Sequence, residues 1–294
     1  MNQTALIEGL FNGLSFSSIL ILTALGLAIT FGVMRVINMA HGEMVMLGAF
    51  CAYALKTHLG VNLFWAMPIS FLAVGAVGYV LEVTLIRFLY GRPLDTLLAT
   101  WGVGLVLQKV VSITLGSEAK LLSPPAILSS SWEVGGITFG VYRLFIVGVT
   151  VLCVLAVYLC FFKTSFGLKV RAVTQNRAMA AAVGISTRNV DALTFGLGTG
   201  LAGVAGCILG HMYSIKPDMG TSYVVDAFMV VILGGTGQLI GTVVGGTMIG
   251  TSNSVVAKVL NNEPIARVVV LLLVITFIQF RPSGMFAPKE RVYD

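Results

Sequence analysis

"RLFIVGVTVLCVLAVYLCFF" (143–162) runs directly into "KTSFGLKVRAVTQNRAMAAAVGISTRNV" (163–190). After Arg143 the first segment carries no charge, and it is long enough to cross a bilayer, which takes roughly 17–25 apolar residues. The second holds Lys163, Lys169, Arg171, Arg177 and Arg188 and no Asp or Glu. Basic residues in short loops stay on the cytoplasmic side of a membrane. The pair therefore describes one crossing and its cytoplasmic return.

Working outward, similar apolar spans recur at about 5–33, 39–58, 63–89, 94–115, 191–213, 223–260 and 265–280. Hydrophobic residues make up 57% of the 294 and charged residues only 10%, with a mean hydropathy of +0.95. A soluble chain carries about 25% charged residues and could not cover a water-facing surface with so few. A transmembrane barrel would show short alternating segments, and these runs are long and unalternating. The expectation is an all-α polytopic membrane protein in one domain, 1–294, with about eight transmembrane helices. The span 223–260 is too long for one crossing and is cut by "GGTGQLIG" (234–241), so broken or re-entrant segments are expected.

The stretch 116–142, with Pro124-Pro125, a serine run and the charges Glu118, Lys120 and Glu133, is expected outside. Arg87, Arg92, the 163–190 loop and the tail with Arg281, Lys289 and Arg291 are expected inside. The amino terminus is then outside if 39–58 crosses fully; the alternative is that it re-enters. No cleavable signal is expected, because the first cation is Arg35. Cys51, Cys153, Cys160 and Cys207 lie in apolar stretches without CxxC spacing and suit packing rather than zinc or disulfides. The net charge of +6 is a matter of loop placement and is no nucleic-acid signal. Glycines cluster in "GLGTGLAGVAG" (196–206) and "GTVVGGTMIG" (241–250), a pattern that lets membrane helices approach closely. A phosphate loop needs a Lys after its glycines, and "GGTGQLIG" lacks one, so no ATP site is expected in this chain.

Within the basic loop, "NRAMAAAVG" (176–184) has the grammar of a short helix, with Asn176 as N-cap and Gly184 as terminator. Ala180, Ala181 and Ala182 would leave it smooth enough to enter a groove on another protein; the alternative is a solvated loop held inside by its charge.

The stretch "VINMAHGEMVMLGAF" (36–50) places Asn38, His41 and Glu43 in an apolar setting. In a helix Asn38 and His41 share a face, whereas Glu43 lies about 200° around from His41, which disfavours a catalytic cluster. Three roles stay open: polar groups satisfying a helix junction, a pore lining by Asn38 and His41, or an ion pair of Glu43 with a neighbour such as Arg35. Thr100, Trp101 and Gln108 interrupt another span, with Thr100 and Gln108 on one face. Asp226 stands in "VVDAFMVV" with no cation close in sequence and could pair across helices or line a path. His58 and His211 fall near span ends. No catalytic residue and no metal site is expected.

"GLKVRAVTQNRAMAAAVGISTRNVDALTFGLGTGLAGVAG" (167–206), "ALGLAITFGVMRVINMAHGEMVMLGAF" (24–50) and "VVDAFMVVILGGTGQLIGT" (224–242) resemble, in that order, the coupling-loop region and two further signatures of permeases in the branched-chain amino acid class of ABC importers. The resemblance covers essentially the whole chain. It implies a multi-pass permease of a prokaryotic plasma (inner) membrane, paired with a second homologous permease. Its other implied partners are two ATP-binding subunits, which hold ATP and Mg, and a periplasmic substrate-binding protein. It also implies an ATPase-coupling role for Arg171, Thr174, Gln175, Asn176, Arg177, Ala180 and Gly184. "RPLDTLLATWGVGLVLQ" (92–108), "GISTRNVDALTF" (184–195) and the tail are most similar to the urea-transporting branch. Urea needs hydroxyl, amide and carboxylate acceptors and no counter-charge. Asn38, His41, Glu43, Thr100, Trp101, Gln108 and Asp226 are the candidate pathway residues. Import of branched-chain amino acids or short amides is the alternative. A stand-alone channel or ion-coupled transporter would need no basic cytoplasmic helix, and an intramembrane enzyme would need a nucleophile–base pair that the three histidines do not supply.

Overall fold

The computed structural model describes residues 3–134 and 137–286; the tail cations Lys289 and Arg291 fall outside them. Eleven α-helices are formed among the described residues: α1 (Gln3–Met34), α2 (His41–Leu59), α3 (Leu63–Thr84), α4 (Pro93–Leu115), α5 (Val141–Lys163), α6 (Ser165–Gln175), α7 (Arg177–Ala182), α8 (Thr187–Leu209), α9 (Met219–Gly234), α10 (Leu239–Leu260) and α11 (Glu263–Phe280). Seven of these, α1, α3, α4, α5, α8, α10 and α11, are long and apolar enough to cross a membrane. Helices α2 and α9 make up the remainder of the expected set, and the span 223–260 divides into α9 and α10 at Gly235–Gln238. Gly235 (φ +100°) and Gly237 (φ +76°) take left-handed backbone there, which is why the break falls on glycines.

Helices α1 and α8 are buried and form the centre, while α4, α5 and α11 turn most of their surface outward. The glycines of α8 explain how it can be central. A side chain at Gly198 would run into α1 at the Gly26 carbonyl, 2.7 Å away. Gly203 similarly abuts Ser70 and Val74 of α3, each 2.8 Å from a hypothetical Cβ. Gly206 lies directly against the Val45 carbonyl of α2, and Gly48 against Gly203. Three helices thus meet α8 backbone to backbone, the contact that small residues permit inside a bilayer.

The chain leaves α1 at Arg35, whose φ of +52° is unusual for a side-chain-bearing residue. It runs non-helically to Ala40 and re-enters helix at His41. His41 meets the Thr23 carbonyl, more than two turns before the end of α1. The remainder of α2 leads to the opposite side, where Lys56 donates to the Ser123 carbonyl. Helix α2 thus runs from the level of Thr23, inside the bundle, to the end that carries 116–142, and the start of α1 lies at that same end, where Phe11 packs edge-on against Phe139.

On that side, residues 116–142 contain a two-stranded hairpin, β1 (Ser131–Val134) antiparallel to β2 (Ile137–Gly140). They are tied to the α8–α9 connection by a backbone bridge between Lys120 and Ile215. Residues 163–190 are not a loop. They form α6, whose N-cap Thr164 accepts from Gly167 N at 3.2 Å, followed by α7. Val170 and Val173 of α6, Ala180 of α7 and Val190 of α8 share one apolar cluster, so burial of that face holds both short helices on the bundle.

Candidate substrate pathway and coupling helix

Helix α7 has the expected caps. The Asn176 side chain accepts from Met179 N at 3.0 Å, and Gly184 follows in left-handed backbone at φ +85°. Of the three alanines, Ala181 and Ala182 are presented outward and Ala180 is not. Ala180 is buried in the chain's own cluster, and the large exposed apolar groups are Met179 and Val183. An apolar face read from sequence does not reveal which surface covers it; here the bundle itself covers part of it. Arg171 donates to the Phe161 carbonyl and lies 5.5 Å over the Phe162 ring. Thr174 and Gln175 are exposed at the end of α6.

Arg177 is tied into the bundle. It pairs with Asp191 of α8, whose side chain is 1% exposed, and its guanidinium stacks 4.9 Å over the Tyr90 ring. Tyr90 in turn donates to Glu82 of α3 at 2.7 Å, and Arg87 pairs with the other Glu82 oxygen at 3.2 Å. Five residues from four segments thus form one polar latch between α7 and α3 and α8. Sequence separation hid it, although each member sits at a helix end where chain segments converge.

The polar groups of 36–50 do not share one helical face. Asn38 lies in the non-helical break, 1% exposed, with neither its side-chain nitrogen nor its side-chain oxygen partnered. His41 is fully buried, with Nε2 2.9 Å from the Thr23 carbonyl and Nδ1 unpartnered. It satisfies backbone within α1, as a junction role requires. Glu43 does not pair with Arg35, which is exposed; its Oε1 instead accepts from Gln108 Nε2 at 2.9 Å. The Gln108 nitrogen also donates to the Thr221 hydroxyl at 3.2 Å. Glu43 Oε2 is buried and unpartnered.

Thr100 and Gln108 share the α4 face that meets this region, as their spacing predicted. The Thr100 hydroxyl accepts from Met39 N at 3.0 Å, which caps the break. Between them Gly104 admits the Glu43 side chain, 3.3 Å from where a Cβ would sit. On the far side, Gly220 in the first turn of α9 lies against Gly42, and a side chain there would meet the Glu43 carboxyl at 2.8 Å. The start of α2, the start of α9 and α4 thus converge on Glu43. Thr221 and Asp218 open that cluster to the surface. Thr221 was absent from the expected set, and nothing in its sequence context marks it.

Two candidates lie elsewhere. Trp101 is 55% exposed, about 100° around α4 from the buried Thr100, so it supplies no aromatic plane to this cluster. Asp226 is buried with Phe16, Leu20, Asn253 and Arg267 around a small void between α1, α9, α10 and α11. Of the two histidines near span ends, His58 is exposed and His211 is buried with Nδ1 2.8 Å from the Cys207 carbonyl. Burial lowers the His211 pKa from its ordinary value. All four cysteines are free thiols.

A glycine-seamed bundle with broken helices meeting at an acceptor-rich cluster defines a multi-pass permease of the plasma (inner) membrane. The description "Branched-chain amino acid transport system / permease component" matches residues 9–278, and the chain belongs to that family. It is 30% identical over 299 residues to the high-affinity branched-chain amino acid transport system permease protein BraD of Pseudomonas aeruginosa, covering 97% of this chain and 96% of that one. The corresponding permease protein LivH of Escherichia coli K12 is 30% identical over 307 residues, with the same coverage. The ribose import permease protein RbsC of E. coli is 26% identical over 257 residues, 84% of this chain and 77% of its own. No solved structure matches the chain. Its relatives are permease subunits, not enzymes.

Proposed function

We propose that this chain is the permease subunit of an ATP-driven importer of branched-chain amino acids, and that solute passes the Glu43–Gln108–Thr221 cluster. The observation that carries the substrate class is the near full-length similarity to BraD and LivH, both named for branched-chain amino acids. The expectation of urea finds less support: of the 92–108 residues that motivated it, Trp101 points away from the cluster.

The cluster suits an amino acid at one end. Glu43 Oε2 has no partner, and a buried carboxylate oxygen without one is costly. An ammonium group arriving from the Thr221 side would supply charge-assisted hydrogen bonds. The same acceptors would also take the N–H groups of urea, which keeps urea as a second candidate for this site.

The chain works with a second homologous permease, two ATP-binding subunits that hydrolyse ATP with Mg, and a periplasmic binding protein. Helix α7, with Asn176, Ala180 and Gly184 shaping it and Arg177 latching it, is the handle for the ATP-binding subunits. The test is ATP-dependent uptake into proteoliposomes holding the complete complex, with labelled leucine and labelled urea in competition. Leucine uptake indifferent to urea is expected. In Glu43→Gln, KM for leucine should rise about tenfold or more, as losing one hydrogen bond to a charged group implies. Urea uptake indifferent to leucine would overturn the substrate but leave the family. Unchanged leucine kinetics in Glu43→Gln would remove Glu43 from the path.

A further inference from the structure

A cavity of about 450 Å³ opens beside the end of α1 that faces the 163–190 side, between α1, α5, α6 and the break before α10. It lies apart from the Glu43 cluster. Its walls are apolar along the membrane-crossing helices, with Ile29, Val33, Val157, Phe161, Leu239 and Ile240 among them. Its rim is polar: Arg171, Thr174, Gln175 and Gln238. Among the described residues Arg171 is the sole charged one lining it, and no carboxylate does.

The surroundings share that sign. Helix α6 buries Val170 and Val173 against the bundle and exposes Leu168. Lys163 and Lys169 are exposed beside it, and residues 163–190 contain five cations and no acid. An amphipathic, basic helix of this kind sits at a membrane interface. Its basic side is the cytoplasmic one, where anionic headgroups concentrate. The Arg171 guanidinium already donates to the Phe161 carbonyl, but a guanidinium carries five donors in a rigid fork. That first contact holds the fork in place and leaves donors for a phosphate.

We propose that this cavity is a binding site for an anionic phospholipid of the cytoplasmic leaflet. Its phosphate is held by Arg171 with the Gln175 and Gln238 amides at the rim, and an acyl chain lies in the apolar shaft. The volume is within the range of ligand sites, about 300–1,000 Å³. Charge and position select a lipid over a peptide. The apolar walls lie within membrane-crossing helices, and the one charge sits where those helices end. The site depends on the chain spanning a membrane, not on which solute it carries.

The test uses the assembled complex in nanodiscs. Tyr158, which lines the cavity and is 43% exposed, is replaced as a reporter (Tyr158→Trp). Quenching by brominated phosphatidylglycerol is then compared with quenching by brominated phosphatidylcholine. The expected result is preferential quenching by the anionic lipid. Arg171→Gln should cut that preference about fivefold, the weight of one cation near a charged leaflet. Gln175→Glu, which places a carboxylate on the rim and does not touch the Arg171–Phe161 contact, should reduce it as well. Lys169→Gln, outside the cavity, removes one interfacial cation without touching the rim and should reduce it less than Arg171→Gln does. Equal quenching by both lipids, or a preference untouched by Arg171→Gln and Gln175→Glu, overturns the proposal. So does displacement by inorganic phosphate alone, which would make the site one for a free anion. Absence of quenching by either lipid would mean that a protein partner fills the groove, and would overturn it too.

Discussion

Replacing Gly198 by alanine tests whether the glycines of α8 set the spacing of the central helices. The added methyl would lie 2.7 Å from the Gly26 carbonyl oxygen and 2.7 Å from Thr30 Cγ2. Neither can step aside, because the first is backbone and Thr30 is fully buried. Helices α1 and α8 must therefore part by about 0.7 Å to reach ordinary contact, a gap that forfeits a quarter to a half of the dispersion energy of each atom pair it opens. Overpacking of this kind costs roughly 1–3 kcal/mol, against a helix-propensity gain of up to about 1 kcal/mol for Gly to Ala. A net loss of about 1–2 kcal/mol is expected. The matched controls are Gly102→Ala and Gly148→Ala, on α4 and α5, where a methyl meets nothing within 4 Å. Thermal unfolding of the three variants in detergent, followed by loss of the monodisperse peak, gives the comparison. Gly198→Ala should unfold several degrees below both controls. If it unfolds with them, the seam is not tightly packed and the account of α8 as a glycine-spaced centre fails.

The polar latch makes a second prediction. Arg177→Ala strands the buried Asp191 carboxylate, and because Arg177 is itself half exposed the loss should be about 1–3 kcal/mol rather than the full value for a buried pair. Arg177→Ala/Asp191→Asn should lose less than the sum of the single variants, a coupling that a double-mutant unfolding cycle measures; additive losses would mean the pair is not coupled. The third concerns the break between α1 and α2. Thr100→Val removes the acceptor of Met39 N and should cost about 1–3 kcal/mol for the orphaned donor, while Thr100→Ser should retain most of the stability. A larger loss in Thr100→Ser than in Thr100→Val on unfolding would show that the methyl, not the hydroxyl, holds the junction.

Much of this architecture is local and was legible along the chain. Long apolar runs define crossing helices because an unsatisfied backbone cannot sit in hydrocarbon. "GGTGQLIG" read as a break, because left-handed backbone there favours glycine. The caps of α7 also depend on a few adjacent residues, and Asn176 and Gly184 do what their positions suggested. The face shared by Thr100 and Gln108 follows from helical periodicity alone.

Tertiary structure decided what those elements touch. Periodicity assumed one helix through 36–50, but the chain turns at Arg35, leaves helix through Asn38 and turns again at Met39–Ala40, so Asn38 precedes α2 while His41 opens it and reaches the middle of α1. Glu43 could have paired with Arg35 by proximity in sequence; it meets Gln108 and faces Thr221 because Gly42, Gly104 and Gly220 let three segments close around it. The Arg177–Asp191–Tyr90–Glu82–Arg87 latch and the Arg171 cavity likewise join residues far apart in the chain. Composition and spacing determine which segments enter the membrane, since hydration of each segment is a local property. Which polar groups meet there depends on how closely backbones approach, and only the packed bundle sets that distance.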